Sequence, residues 1–486
     1  MAESNRSIGV GIIGLGTVGG GVVRLIGKHH DDYLKAYGVD LVIERACALD
    51  PAAAAELGIA QDRFTSDWRE VASDPAVDIV IELIGGEHPA TEIFEAAFAN
   101  GKHVVSANKA LLGRRVEELA RTAARAGVQL RCEAAAGGGI PIVGTLEHDL
   151  VGNEVLTIAG IVNGTTNYIL SRMADEGLDF DVVLADAQRL GYAEADPSAD
   201  VDGFDAASKI AILSSIGFRS RVTTDDVYMQ GIRKVSAEDI ALARRMGYAI
   251  KLLAIARNTA QGVEVRVHPT MIPATHQLAA VSGAMNAVYV VGDAVGETMF
   301  YGAGAGSFPT ASAVVGDVLS LSEHISRDIA PLAEPEPFGR ELAIKPIEEL
   351  RTRYYVRFSP DPETDVLACA VTAFSENGVG VDQALQLGED GTGSIVVLTR
   401  TCSERNVNAA LADAGRTCTV ASVIRIEDVE AWTEGARENS PERRRMHPHR
   451  PAAAFTTSPP AAGAPSTRAS SGRTGAAALR RADFGT

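Results

Sequence analysis

The sequence predicts an α/β protein in which a doubly wound parallel sheet is followed by further α/β units. Three observations predict this class. Short apolar runs alternate with amphipathic stretches in the first third of the 486 residues, as in a parallel sheet with helices on its faces. A glycine-rich turn follows the first apolar run. Aromatic residues make up only 5% of the chain while 48 residues are glycine, and small residues let helices lie close to a sheet.

The first predicted domain covers residues 1–136. Its predicted strands are Ile8–Gly14, Leu41–Leu49, Ile79–Ile84, His103–Ser106 and Val128–Glu133. Amphipathic stretches lie between them, for example Thr91–Asn100 and Arg114–Ala126. Strands that are spaced by helices in this way indicate a parallel sheet.

A second α/β domain, with more antiparallel character, is predicted for residues 137–320. Its predicted strands are Leu156–Asn163, Val263–Pro269 and Ala287–Val291. Its predicted helices are Phe180–Leu190, Asp205–Ile216 and Ala237–Ile255. Residues 321–350 are predicted to form a helix and a linker that return to the first domain.

A small third unit is predicted for residues 351–430. Its elements are, in order, Tyr354–Phe358, Val366–Asn377, Gln383–Gly388, Ser394–Thr399, Glu404–Ala414 and Ala421–Ile426. They form a strand–helix–strand–strand–helix–strand series, which is a ferredoxin-like arrangement. Residues 431–486 lack the periodic apolar residues that would offset the entropy of ordering, so they are predicted to be a disordered tail.

The charge and the cysteines exclude several classes of protein. A formal net charge of −18, from 45 basic and 63 acidic residues, argues against nucleic-acid partners and against anionic membrane surfaces. No apolar stretch is long enough for a membrane span, and the polar first residues do not form a signal peptide. The five cysteines are scattered without a CxxC pair, which indicates reduced thiols and disfavours zinc. A cytoplasmic location is predicted.

The turn after the first strand predicts a dinucleotide site. Gly14, Gly16 and Gly19 follow the strand and open a helix, where glycines permit a tight turn and the helix N-terminus receives a pyrophosphate. The domain is therefore predicted to be of the Rossmann type. Asp50, at the end of the second strand, would accept the ribose hydroxyls and repel a 2′-phosphate. This position favours NAD or dual specificity.

Two lysines are candidates for the chemistry. Lys109 follows a predicted strand and would reach the nicotinamide or the substrate from the carboxyl edge of the sheet. Asp205 and Lys209 are four residues apart on one face of a largely apolar helix, after the acidic loop at 191–200. A buried lysine beside carboxylates is a plausible proton-transfer group, although an ordinary ion pair would show the same spacing.

Several motifs together resemble homoserine dehydrogenase. The matching segments are Ser106–Lys109, Gly164–Leu170, Gly191–Pro197, Asp200–Lys209 and Tyr301–Gly306. The resemblance covers residues from about 8 to 430. It implies the interconversion of aspartate 4-semialdehyde and homoserine with NAD(P)H, in threonine, methionine and isoleucine biosynthesis. No aspartate-kinase domain precedes the first strand, so the monofunctional form is implied.

The resemblance also implies roles for particular residues. Lys209 would be the general acid and base, and Lys109 the second active-site lysine. Glu194 and Asp205 would grip the ammonium group of the substrate, and Asp200 would belong to the same site. The implied cofactor-binding residues are Gly14, Gly16, Thr17, Val18, Gly19, Asp50, Ile84, Gly85, Lys109, Gly191 and Gly304.

Three further expectations come from the resemblance. A monovalent cation, Na⁺ or K⁺, would be held by main-chain oxygens of Glu133, Ala136, Gly138 and Ile140. The third unit resembles an ACT domain, in which threonine would be the effector, but Asp365 stands where such domains usually carry glycine. The unit would be either a threonine sensor or a structural, dimerising module. A homo-oligomer is expected.

Two other functions compete with this interpretation. One is another amino-acid or semialdehyde dehydrogenase, of which the phosphorylating kind needs an activated cysteine. Cys132 is the only candidate near the interdomain region, and nothing around it in the sequence would lower the pKa of a thiol. The other is a catalytically idle, amino-acid-binding regulator with a retained cofactor domain.

Overall fold

The first part of the chain forms a six-stranded, all-parallel sheet in the computed structural model of the protein, which describes residues 6–326, 338–387 and 393–433. Its strands are β1 (Arg6–Ile13), β2 (Val39–Cys47), β3 (Phe64–Thr65), β4 (Ile79–Glu82), β5 (His103–Ser106) and β6 (Leu130–Arg131). Its helices are α1 (Thr17–Tyr37), α2 (Pro51–Glu56), α3 (Trp68–Ser73), α4 (Ala90–Ala99), α5 (Lys109–Arg125) and α6 (Glu133–Ala136).

The order of the strands, β3-β2-β1-β4-β5-β6, confirms the predicted doubly wound domain. The direction of winding changes between β1 and β4. Open α/β sheets bind ligands at this switch point, outside the carboxyl ends of the strands. The turn after β1 and the loop after β4 therefore stand where a cofactor is expected.

The second part of the chain adds a mixed sheet covered by helices. Its strands are β7 (Val155–Ile161), β8 (Tyr228–Met229), β9 (Tyr248–Thr259), β10 (Gly262–Pro273), β11 (Met285–Gly292) and β12 (Gly296–Ala303). Its helices are α7 (Gly164–Glu176), α8 (Phe180–Arg189), α9 (Ser198–Val201), α10 (Phe204–Phe218), α11 (Ala237–Arg245) and α12 (Ser307–Ser326). β12, β11, β7, β9 and β10 are antiparallel neighbours in that order, which confirms the predicted antiparallel character.

The predicted helix over Ala237–Ile255 is confirmed as far as Arg245 and is wrong beyond it. The helix ends at Arg245, Gly247 adopts a φ of +82°, and β9 begins at Tyr248. Residues 250–256 are all apolar except Lys251 and all are buried. A continuous apolar run of this kind has no periodicity that distinguishes a buried strand from a buried helix.

The third unit contains β13 (Arg351–Phe358), α13 (Val366–Glu376), β14 (Val381–Gln386), β15 (Ile395–Thr399), the short β16 (Cys402–Ser403), α14 (Glu404–Ala414) and β17 (Val420–Ile426). Apart from β16, this is the predicted series. The strand order is β17-β13-β15-β14, and β17 pairs with β10, so the unit extends the second sheet. Successive residues of β13 alternate between two cores: Tyr354 packs toward α13 and α14, and Tyr355 toward the second domain.

Two of the predicted domain boundaries, at residues 320 and 430, differ from the structure. α12 packs on the first sheet through residues such as Ala311 and Val318, so the return to the first domain begins at Ser307 and the predicted boundary at 320 falls inside a helix. Trp432, assigned to the predicted tail, is only 1% exposed and packs against Ile161 and Leu253, because a large apolar ring is most stable out of water. The rest of that tail, 434–486, lies outside the described residues.

No helix in the described ranges has the length and apolar character that a membrane span requires.

Candidate active site

The turn between β1 and α1 has the shape that a pyrophosphate requires. Gly14 adopts a φ of +104°, and a Cβ at Gly19 would lie 2.0 Å from the carbonyl oxygen of Gly14. Both positions therefore need glycine. Around Gly16, at the N-terminal end of the 21-residue helix α1, no described atom lies within 4 Å of where a Cβ would be. This open helix N-terminus fits the phosphates of a nicotinamide dinucleotide.

The loops after β4 and β5 are held together by the buried carboxylate of Glu82. Its oxygens accept hydrogen bonds from the hydroxyl of Ser106 at 2.8 Å and from the backbone amides of Ile84 at 2.9 Å and Gly85 at 3.2 Å. Burial raises the pKa of Glu82 and these hydrogen bonds oppose the rise. Glu82 thus shapes the loop that contains two predicted cofactor residues, a role that the sequence motif did not indicate.

Lys109 extends from the first domain to the second. It is the first residue of α5, whose N-cap Asn108 accepts a hydrogen bond from the backbone amide of Leu111 at 3.2 Å. The Nζ of Lys109 forms an ion pair with Oδ1 of Asp205 on α10. About half of the lysine side chain, 49%, is exposed, whereas Asp205 is buried. This ion pair is therefore a direct contact between the first and second domains.

Asp205 is also paired with Lys209, one turn further along α10. The Nζ of Lys209 donates to Oδ2 of Asp205 at 2.8 Å and to the carbonyl oxygen of Val162 at 2.8 Å. The lysine and the carboxylate are 7% and 6% exposed. Because both are buried, this pair differs from the ordinary surface ion pair that the same spacing also allowed.

The two lysines differ in how readily they release a proton. Burial lowers the pKa of Lys209, and the positive charge of Lys109 lowers it further, against the opposing attraction of Asp205. Burial acts in the same direction on Lys109, but its attraction to Asp205, Asp200 and Glu194 outweighs burial and raises the pKa. The two ammonium groups hold the pKa of Asp205 well below its usual range, although burial alone would raise it.

The acidic loop borders this cluster. Oδ1 of Asp200 accepts a hydrogen bond from the Asn163 side chain at 2.6 Å. Glu194 is exposed, and its carbonyl oxygen accepts a hydrogen bond from the Gln188 side chain at 3.1 Å. Gly191 adopts a φ of +78°. The loop is thus held by its backbone, and the carboxylate of Glu194 stays accessible to a ligand.

The predicted cation segment is a tight turn against the loop after β12. The carboxylate of Glu133 accepts hydrogen bonds from the amides of Ile142 at 2.6 Å, Val143 at 2.9 Å and Gly144 at 2.6 Å. A Cβ at Gly138 would lie 2.1 Å from the carbonyl oxygen of Gly304. Within the described ranges, no cluster of three or more His, Cys, Asp or Glu side chains could hold a metal ion. The carboxylate of Glu133 is already engaged, which leaves main-chain oxygens as the donors at this turn.

The chain matches known proteins along most of its length. A family model described as homoserine dehydrogenase matches residues 141–319, and one described as homoserine dehydrogenase, NAD binding domain, matches residues 14–133. The homoserine dehydrogenase of Synechocystis sp. is 45% identical over 434 residues, which cover 86% of this chain and 99% of that protein. The chain belongs to the homoserine dehydrogenase family.

Further relatives of the family agree in sequence and in structure. The homoserine dehydrogenase of Pseudomonas aeruginosa is 41% identical, with 84% of this chain and 95% of that protein covered. The crystal structure of a homoserine dehydrogenase from Thiobacillus denitrificans superposes with a TM-score of 0.82 at 42% identity, covering 87% of this chain and 99% of that chain.

Family membership confirms the predicted activity. The protein is an NAD(P)-dependent oxidoreductase that acts on a CH–OH group, interconverting aspartate 4-semialdehyde and homoserine. The cysteine-dependent alternative also lacks a suitable thiol, because burial raises the pKa of Cys132 well above its usual value. Of the predicted site residues, the structure brings together Lys109, Asp200, Asp205 and Lys209. Sequence reasoning noted the segments that contain Glu82 and Asn163 but missed their organising roles, because these depend on hydrogen bonds to residues far along the chain.

Replacing Gly14 with alanine should weaken cofactor binding specifically. The new Cβ would lie 2.9 Å from the backbone of Leu83, and the φ of +104° is unfavourable for alanine. Relief of this strain, about 1–3 kcal/mol, would move the turn away from the position that receives the pyrophosphate. A loss of about 1 kcal/mol of binding free energy would raise the Kd for NAD(P)H, measured by fluorescence titration, about fivefold.

Gly38→Ala is the matched control for this variant. Gly38 adopts a φ of +68°, but no described atom lies within 4 Å of its Cβ position, and it follows the opposite end of α1. The control should therefore be strained yet bind the cofactor normally. Equal Kd values for the two variants would contradict the assignment of the Gly14 turn to the pyrophosphate.

Proposed function

We propose that Lys209 transfers the proton in the homoserine dehydrogenase reaction. When bound, NAD(P)H supplies the hydride that the aldehyde carbon receives. The ammonium of Lys209 then gives a proton to the aldehyde oxygen, and in reverse the neutral amine takes it from the hydroxyl group of homoserine. The observation that carries this proposal is the geometry of the buried Nζ, which uses two of its three N–H groups on Asp205 and Val162. The third is left for the substrate.

Lys109 is proposed to orient the substrate from the cofactor side. It lies at the carboxyl edge of the first sheet, beside the loop shaped by Glu82, and it reaches Asp205 across the domain boundary. An ammonium there can hold the substrate carbonyl against the nicotinamide ring while Lys209 supplies the proton. The raised pKa of Lys109 keeps it charged, as an orienting group should be.

The substrate ammonium is proposed to bind chiefly to Glu194 and Asp200. The resemblance implies that Asp205 shares this role, but its Oδ1 is paired with Lys109 and its Oδ2 already accepts hydrogen bonds from Lys209 and Asn163. Glu194 is exposed and near enough for its charge to raise the pKa of Lys109. We infer that Asp205 acts on the lysines, and that the neighbouring carboxylates meet the substrate.

Replacing Lys209 with alanine tests the proton-transfer proposal. Turnover should fall by about 10²–10⁴-fold, the usual contribution of a positioned acid or base, while the Kd for NAD(P)H stays unchanged. In the unchanged protein, homoserine oxidation needs neutral Lys209 and should weaken as pH falls through its pKa. Semialdehyde reduction needs the ammonium and should weaken as pH rises through it. Each rate therefore falls off on one side of its pH profile, and this part of the profile is called its limb. Because burial lowers the pKa of Lys209, both limbs should lie at a lower pH than the pKa of an ordinary lysine.

The control is Lys35→Ala, which removes an exposed lysine in the last turn of α1. It should keep normal rates and normal pH profiles in both directions. If Lys209→Ala retains turnover and its pH limbs do not move, the assignment of Lys209 is wrong. Another group would then transfer the proton in the family reaction.

A preference for NAD, or dual specificity, is proposed from Asp50. This exposed residue follows β2 and N-caps α2 by accepting a hydrogen bond from the amide of Ala52 at 2.9 Å. A carboxylate at the end of the second strand suits the ribose hydroxyls and repels a 2′-phosphate.

Asp50→Ser tests this preference, since serine keeps the cap and removes the charge. The ratio of kcat/KM for NADP to that for NAD should rise about tenfold, equivalent to ~1.4 kcal/mol. Asp365→Ser, which changes a similar exposed N-cap at α13, should leave the ratio unchanged. An unchanged ratio in Asp50→Ser would overturn the proposal.

A monovalent cation is proposed at the turn after α6, held by main-chain oxygens of Glu133, Ala136, Gly138 and Ile140. The support is the packing of this turn against residues 303–305, where the amide of Gly139 donates to the carbonyl oxygen of Ala303 at 3.0 Å. Such a turn concentrates carbonyl groups between the two domains, and hard monovalent cations bind oxygen donors.

The third unit is proposed to be an ACT domain. Its helix and strand series and its strand order support this assignment. Asp365 adopts a φ of −74°, so the backbone of this loop does not require the usual glycine. Oδ1 of Asp365 accepts a hydrogen bond from the backbone amide of Ala368 at 3.0 Å, so the side chain caps the N-terminus of α13. This favours the structural module over the threonine sensor, and threonine as an effector stays a prediction.

A homo-oligomer is proposed as well. The edge strand β12 supports it, since Tyr301 is 58% exposed and the outer side of β12 pairs with no described strand. An edge strand with exposed aromatic residues is a common interface between copies of a chain. The cytoplasmic location stays a prediction.

A further inference from the structure

Asn163 links the strand that precedes the active site to the helix that follows it. It stands between β7 and α7, is 5% exposed, and uses Oδ1 to accept hydrogen bonds from the amide and the hydroxyl of Thr166, both at 2.9 Å. The side-chain oxygen thereby caps α7 and fixes the orientation of the amide group. With the oxygen held, the two N–H groups of Nδ2 can point in only one direction.

That direction is toward the acidic groups of the site. Nδ2 of Asn163 donates to Oδ1 of Asp200 at 2.6 Å and to Oδ2 of Asp205 at 2.9 Å. A primary amide has two N–H donors, and both are therefore satisfied by carboxylates. Two neighbouring carboxylates repel each other, so a shared neutral donor stabilises them in one arrangement without adding charge.

The backbone beside Asn163 acts on the same cluster. The carbonyl oxygen of Val162 accepts a hydrogen bond from Nζ of Lys209, which also donates to the Asp205 oxygen that Asn163 contacts. Two consecutive residues therefore hold the lysine and its carboxylate at once. The lysine is fixed by a main-chain oxygen and the carboxylate by a side-chain amide.

We propose that Asn163 is a positioning residue for proton transfer, holding Asp200 and Asp205 so that Lys209 presents its third N–H to the substrate. This inference rests on the proposed role of Lys209. Asn163 would touch neither substrate nor cofactor and would act only through the carboxylates. The charged groups that face this cluster are Lys109 from α5, Asp200 from α9, Asp205 and Lys209 from α10, and Glu194 from the loop before α9.

Two substitutions separate positioning from folding. Asn163→Ser and Asn163→Asp both keep an oxygen that can cap α7, because serine and aspartate are good N-cap residues. Serine removes the two N–H donors, and aspartate also adds a negative charge. Both changes make the electrostatic potential at Lys209 more negative, so the pKa of Lys209 should rise, and more in the aspartate variant.

The experiment measures kcat against pH in both directions for the full-length enzyme. The low-pH limb of homoserine oxidation and the high-pH limb of semialdehyde reduction should both move upward, by about one pH unit in Asn163→Asp and by less in Asn163→Ser. On the sloping part of the low-pH limb the oxidation rate at a fixed pH should therefore fall about tenfold in Asn163→Asp, with the Kd for NAD(P)H unchanged. A merely structural defect would lower both rates without moving the limbs.

Asn377→Asp is the matched control. Nδ2 of Asn377 donates to Oδ2 of Asp413 at 2.8 Å in the third unit, so the substitution makes the same local change far from the lysines. It should leave both pH limbs in place.

The outcomes separate this inference from the proposed function. Limbs that stay at the wild-type pH in Asn163→Ser and Asn163→Asp, while Lys209→Ala is inactive, would overturn the role of Asn163 alone. Full turnover in Lys209→Ala would overturn the proposed function first. If Asn163→Asp fails to fold, Asn163→Ser decides, and wild-type kcat and limbs in that variant refute the proposal.

Discussion

The buried carboxylate of Asp205 is the interaction on which the site depends. One of its oxygens pairs with Lys109, which belongs to the first domain, and the other with Lys209, which is on its own helix. Two ammonium groups so close together would repel each other, and the buried ammonium of Lys209 would be unstable without the carboxylate. Asp205 therefore joins the cofactor domain to the second domain and sets the charges of both lysines.

The surrounding fold brings these groups together from separate elements. In the first sheet, Lys109 lies beyond the carboxyl end of β5, where the Glu82 carboxylate fixes the neighbouring loops. In the second sheet, Val162 and Asn163 directly follow the end of β7. α10 adds Asp205 and Lys209 one turn apart. Since each part is positioned by a buried element, the cluster can keep the separation and orientation that hydride and proton transfer need.

Local patterns made the first domain and part of the site predictable from the sequence. Alternating apolar runs predicted five of the six strands of the parallel sheet but not the two-residue β3, and the spacing of Gly14, Gly16 and Gly19 predicted the nucleotide turn. The four-residue spacing of Asp205 and Lys209 predicted a shared helix face. The third unit was predictable because its six predicted elements are short, separate segments in the order strand, helix, strand, strand, helix, strand.

Local sequence patterns could not predict the long-range contacts of the site. The pairing of Lys109 with Asp205 depends on how two domains meet, and the donation of Asn163 to two carboxylates depends on where β7 ends. The apolar run at 250–256 became a strand because it is buried between other strands, which the run itself does not reveal. Trp432 packs on an apolar surface of the second sheet, and the local sequence around it does not show that this surface is near.

The pH dependence of Asp205→Asn tests the central claim most directly. Without the carboxylate, the charge of Lys109 acts unopposed on Lys209, so the pKa of Lys209 should fall further. The low-pH limb of homoserine oxidation should then move to lower pH. The kcat of semialdehyde reduction should drop because a smaller fraction of Lys209 carries the proton, while NAD(P)H still binds. A variant that binds NAD(P)H and keeps the wild-type kcat and the wild-type limb would contradict the claim that Asp205 couples the two lysines.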